Sequence, residues 1–180
     1  MNTTSNFPKK DTSDSEPSQR LRELFVDELK DIYWAEKAII EAMHKMIKNA
    51  ISQELVQILT LHLEETKHQV TRLESIFGLI GEKAEVTKCE ATSGLIKEAE
   101  AMIENTKKGF VRDSEIVSAS KKVENYEIST YGILRTFAKI LGEDEARALL
   151  QTTLDEEKDT ESKLTKITES PFKIESIDLS

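Results

Sequence analysis

The sequence predicts an all-α protein, a four-helix bundle with one connection far longer than the others. Three observations predict it. Four long stretches carry apolar residues at steps of three and four, the spacing that lines one face of an α-helix. Helix breakers are scarce, with six Gly and three Pro in 180 residues. The breaks between the four stretches run short, long, short.

The first expected helix opens near Ser18, a residue suited to an N-cap, and runs to about Lys48. Its inward stripe is Leu21, Phe25, Leu29, Ile32, Glu36, Ile40, Met43, Ile47, and a glutamate stands at its centre. The second runs from about Gln53 to Ile80, with Ser52 able to cap it and Glu54 favourable in its first turn. Its stripe is Leu55, Leu59, His62, Thr66, Gln69, Leu73, Ile76, Ile80, with Glu65 at the edge. Three polar side chains in succession, bounded by leucines, mark an internal polar layer rather than a surface. Gly81 ends this helix.

From Glu82 to Arg112 the period weakens. Leu95, Ile96, Ala99, Met102 and Ile103 predict one short amphipathic helix, ending before Gly109. The third long helix is expected from an N-cap at Asp113 to a stop at Gly142. Its stripe is Ile116, Ser120, Val123, Glu127, Tyr131, Leu134, Ala138, Leu141. The fourth spans about Glu143 to Thr168, with the stripe Leu150, Thr153, Glu157, Thr160, Leu164, Ile167. Residues 19–168 therefore form the expected domain. Residues 1–18, rich in Ser, Thr, Asp, Lys and Pro without an apolar run, read as a disordered tail. Residues 169–180, with Pro171 and no period, read as a second tail.

Two short loops make two antiparallel helix pairs. A connection of about thirty residues lets the chain return along the bundle, so that the second and third long helices run parallel. Among four-helix bundles this is the ferritin-like arrangement. An internal echo accompanies it: Glu36 and Glu127 lie 91 positions apart, as do Glu65 and Glu156, and His68 and Asp159.

Composition narrows the function classes. A net charge of −9 argues against nucleic acid or an anionic membrane as partner and is compatible with cations. No run reaches the ~20 apolar residues of a membrane span. Cys89 is the only cysteine, so no internal disulfide exists. A lone cysteine without a signal peptide points to a reducing cytoplasm, and this one reads as an incidental thiol in a connection.

The central glutamates carry the chemistry. An unpaired ionised carboxylate on a buried face must pair, protonate or bind a cation. The ferritin-like two-metal site takes one Glu from each of two helices and a Glu-x-x-His from each of the other two. Carboxylate-rich sites suit first-row metals such as iron or manganese. Glu36 and Glu127 stand where the single ligands would. Glu65-x-x-His68 matches formally, yet His68 lies more than ~100° of helix rotation from its stripe and reads as surface. The last helix offers Glu156 by the echo and Glu157 by the stripe; the stripe is favoured. The candidate metal ligands are Glu36, Glu65, Glu127 and Glu157, with Gln69 and Tyr131 behind them. The alternative is that Tyr33, Tyr126, Tyr131, Gln69 and the inward threonines satisfy the same carboxyl groups without metal.

Four segments in order, residues 24–37, 62–73, 122–134 and 154–164, resemble the YciE/YciF stress proteins, a bacterial ferritin-like family akin to rubrerythrin. The resemblance covers about residues 21–168. It implies a ferritin-like fold, a cytoplasmic homodimer and an association with stress responses, and its wider kinship implies redox-metal chemistry with peroxide or dioxygen. It hands over no reaction. The acidic positions it matches are Glu36, Glu65, Glu124, Glu127, Glu156 and Glu157, with His62 and Gln69 beside them.

Overall fold

The structure, a computed structural model, describes residues 16–169. Five helices follow in order: α1 (Pro17–Asn49), α2 (Gln53–Leu79), α3 (Glu90–Asn105), α4 (Phe110–Leu141) and α5 (Asp144–Glu169). The four long ones are those expected from the stripes, and α3 is the short helix of the crossover. Residues 1–15 and 170–180, most of the two expected tails, lie outside the described residues.

The helix ends show local chemistry at work and two departures from expectation. Ser52 caps α2 as expected, its Oγ accepting from the Leu55 N–H at 3.4 Å. Ser18 does not cap α1. It lies inside the first turn, because Pro17 starts the helix with a fixed φ and no N–H to satisfy. Asp113 does not cap α4, which begins three residues earlier behind Gly109. Its buried carboxylate instead accepts from the Ile51 and Ser52 N–H groups at 3.0 and 2.7 Å. That fastens the α1–α2 turn to α4. Gly81 and Gly142 end α2 and α4 at φ 73° and 76°, a left-handed conformation that glycine adopts without a Cβ penalty.

Contacts at the two ends fix the directions. Arg22, near the start of α1, reaches the Ile80 carbonyl after α2 and Glu143 after α4. At the other end the α1–α2 turn meets Asp113 near the start of α4. The helices separated by the crossover, α2 and α4, therefore run parallel. Each packs against the antiparallel α1 and α5, while α3 lies on α1 and α4. This is the ferritin-like topology.

Two apolar clusters fill the bundle. One holds Phe25, Leu29, Ile32, Phe77, Leu134 and Leu150; the other holds Met46, Leu55, Leu59, Ile116, Val117 and Leu164. Each such side chain contributes about 1.5–3 kcal/mol on burial, and their sum outweighs the cost of a few buried polar groups. Between the clusters lies a layer that is not apolar.

Cys89 is not incidental. It is 2% exposed, and its Sγ accepts from the Thr92 N–H at 3.4 Å as the cap of α3. The same sulfur lies 3.1 Å from the Tyr126 hydroxyl, which donates to Asp31 at 2.9 Å. This chain of contacts ties the crossover helix to α4 and α1.

Candidate metal centre

Every long helix gives the middle layer at least one titratable side chain: Glu36 from α1, His62 from α2, Glu124 and Glu127 from α4, Glu157 from α5. All are buried, at 3% exposure or less. Glu36, His62, Glu127 and Glu157 get there because each sits on its apolar stripe, flanked one turn away by leucine, isoleucine, valine or an inward polar residue. Glu124 lies one turn before Glu127, so the two project from neighbouring points of α4.

Donor atoms of His62, Glu124, Glu127 and Glu157 all lie within 4.8 Å of one another. His62 Nε2 is 3.1 Å from Glu124 Oε1, yet the pair is not aligned as a hydrogen bond. Around the cluster stand fixed donors. The Tyr131 hydroxyl donates to Glu36 Oε1. Gln69 Nε2 donates to Glu157 Oε1 and, at 3.1 Å, to Glu156 Oε2. The Glu124 and Glu157 carboxyl groups offer oxygens within 4.8 Å of each other, close enough that a proton held by one affects the other.

The electrostatics follow from burial. Loss of water, joined by the Glu157 charge, pushes the Glu36 carboxyl up to about 8. Burial, joined by Glu36 and Glu65, pushes Glu124 up to about 8. Glu127 is raised well above the usual carboxylate range by burial and then by Glu157, Glu36 and Glu124. Glu157 is raised too, chiefly by burial, with His62 opposing. Burial and then Glu36 raise the Tyr131 phenol, which keeps it a donor.

These residues fit a metal. Eleven buried side-chain oxygens and nitrogens among the described residues lack a hydrogen-bond partner, and eight of them belong to Glu36, His62, Gln69, Glu124, Glu127 and Glu157. Buried orphans of this kind are rare and call for an explanation. Oxygen donors with one imidazole suit first-row divalent metals.

Of the four candidate ligands read from sequence, Glu36, Glu127 and Glu157 lie in this layer and Glu65 lies at its edge. The Glu65 side chain is 26% exposed, and its Oε2 is 4.0 Å from His62 Nδ1 and 3.5 Å from the Thr160 hydroxyl. Glu65 is rotated about 60° from His62 around α2, at ~100° per residue, which turns it towards the α2–α5 groove. His68 is exposed, as expected from its angle. Glu156 faces outward, held by Arg72 through contacts of 2.8 and 2.9 Å, while Glu157 faces inward as the stripe favours. The stripes by themselves did not single out Glu124, or His62 as a central member. The signal available was spacing: Glu124-x-x-Glu127 and His62-x-x-Glu65 each span one turn.

The comparisons with known proteins agree with this fold. Residues 20–175 match the family described as a domain of unknown function, DUF892. The chain is 41% identical to protein YciF of Escherichia coli over 146 residues, covering 81% of this chain and 88% of that one. Among solved structures, the E. coli stress protein YciF aligns with a TM-score of 0.79 at 40% identity, over 82% of this chain and 93% of that chain. YcfI from Rhodopseudomonas palustris, whose description proposes a structural role, aligns with a TM-score of 0.80 at 41% identity, over 84% and 97%. With its fold, its four motifs and these relatives in agreement, the chain belongs to the YciE/YciF stress-protein family, the DUF892 family.

Proposed function

We propose that this protein is a metal-binding member of its family, holding a pair of divalent first-row ions, iron or manganese, in the layer between its apolar clusters. The donor cluster carries this reading: four buried carboxyl groups and an imidazole, with most of the molecule's orphaned buried atoms among them. Four carboxylates bring four negative charges, which two divalent cations balance. Glu124, Glu127, Glu157 and His62 would hold the metal, with Glu36 completing the shell. Once bound, such a pair supplies one-electron redox chemistry towards peroxide or dioxygen. The chain's own contribution is positioning: Tyr131 orients Glu36, Gln69 orients Glu157, and the flanking clusters exclude water.

Metal content measured on protein purified without chelator tests the reading, followed by thermal unfolding with added iron(II) or manganese(II). Metal at a hundred times its Kd stabilises by about 2.7 kcal/mol, and at roughly 2–4 °C per kcal/mol the midpoint rises by roughly 5–10 °C. An unmoved midpoint with either ion would sink it.

A second reading has its own observation. The Tyr131 and Gln69 hydrogen bonds to Glu36 and Glu157 satisfy part of the layer without metal. In that case the protein is a metal-free structural or interaction protein, and the description of its Rhodopseudomonas palustris relative proposes a structural role. A homodimer, implied by family resemblance, belongs to both readings, and sizing chromatography tests it.

A further inference from the structure

The polar layer is bordered by a cavity of about 20 Å³, larger than the ~10–15 Å³ that one water-sized sphere occupies. Its walls are mostly apolar: Ala42, Met43 and Met46 of α1, Leu59 of α2, Ile96 of α3 and Val123 of α4. His62 and Glu124 line the same cavity, so it borders the candidate metal centre, to which both belong. Ile96 is the contribution of α3, which lies outside the four-helix square on α1 and α4. The crossover helix is therefore part of the cavity wall.

We propose that this cavity is a binding site for one small uncharged molecule of dioxygen's size, held under α3 against His62 and Glu124. Three features select that class. The volume admits one molecule of one or two heavy atoms. The apolar wall disfavours any ion, which would lose its water without gaining partners there. Ser120 also lines the cavity, and its hydroxyl, 3.7 Å from Met46 Sδ as its donor, is turned to sulfur. Dry apolar cavities bind xenon and similar apolar guests. The proposal rests on the metal reading for what the guest meets at His62 and Glu124, whereas the cavity is a property of the metal-free chain.

The experiment uses the full chain and xenon as probe. Crystals of metal-free protein pressurised with xenon should show one xenon atom bounded by Ala42, Ile96 and Val123. Ala42→Leu should fill the space and abolish that peak. In iron(II)-loaded protein mixed with dioxygenated buffer, Ala42→Leu should slow iron oxidation at least tenfold with iron content unchanged. Should Ala42→Leu fail to fold, Ile96→Phe at the half-buried wall position takes its place, with the same loss expected. Wild-type crystals without xenon in this cavity overturn the proposal, and so does an unchanged oxidation rate in a variant that excludes xenon. Xenon bound in a protein that takes up no metal upholds the site and refutes the metal reading, so the two failures are distinct.

Discussion

The two grooves flanking the polar layer are finished in opposite ways. Over the α1–α4 groove lies α3, anchored by Cys89, Tyr126 and Asp31. Along the α2–α5 groove the side chains are ionic: Arg72 holds Glu156, and Glu65 keeps a quarter of its side chain in water. Glu65 and Glu124 make the comparison sharp. Each sits one turn from a central residue, His62 or Glu127, at the same ~60° offset. The open groove leaves Glu65 wet. Against His62 of α2 and Glu157 of α5, the Glu124 side chain is 2% exposed and its carboxyl is pushed up to about 8. The facing helices α2 and α5, through His62 and Glu157, thus turn a stripe-edge glutamate into a buried member of the candidate centre.

The largest expected break in this comparison is between the two edge glutamates. Glu124→Gln should weaken iron(II) or manganese(II) binding at least a hundredfold, about 2.7 kcal/mol, and Glu65→Gln by less than about tenfold. Titration calorimetry of both variants measures it, and equal losses would end the distinction between the two edge glutamates.

The pH dependence of the metal-free protein comes next. Glu36 and Glu124 have folded values of about 8 and ordinary values when unfolded. Between about 4.5 and about 8 the native state therefore binds more protons than the unfolded one, and stability falls as pH rises. Denaturant unfolding across that window should show the decline. Glu124→Gln should flatten it, while Glu65→Gln should leave it in place. Metal binding must run the other way, tightening as pH rises, because ligands bind deprotonated; opposite slopes for apo and loaded protein separate the two readings.

Tyr131→Phe removes the donor to Glu36 and should cost about 1 kcal/mol in urea unfolding of the metal-free protein. On the open side, Glu156→Gln breaks the half-exposed pair with Arg72 and should cost no more than about 1 kcal/mol by the same measurement. The smallest effect belongs to Lys45→Ala, which removes the exposed contact from α1 to Glu100 of α3. A loss under about 0.5 kcal/mol is expected, and a larger one would mean that surface pairs help hold α3 in place.

Much of this was legible in the sequence, for a stated reason. Helical periodicity is a local property, so the stripes placed His62, Thr66, Gln69, Glu127, Tyr131, Glu157 and Thr160 inward, and all are buried. Gly81 and Gly142 stopped their helices where a left-handed residue was needed. Connection lengths are equally local, and short, long, short was enough to order the four long helices. What the sequence left open lay at stripe edges and helix starts, where a side chain's surroundings come from a different part of the chain. Asp113 looked like a cap for its own helix and instead holds a turn 61 and 62 residues away. Cys89 looked incidental and instead caps the crossover helix.

The sequence by itself determined the helices, their order and the central carboxylates, because spacing along one chain decides which residues share a face. Only the tertiary structure decided that Glu124 and His62 join Glu127 and Glu157 while Glu65 stays at the rim. The physical reason is coverage: dehydration depends on what packs across from a side chain, and across from Glu124 stand His62 and Glu157, on helices that its own local sequence does not specify.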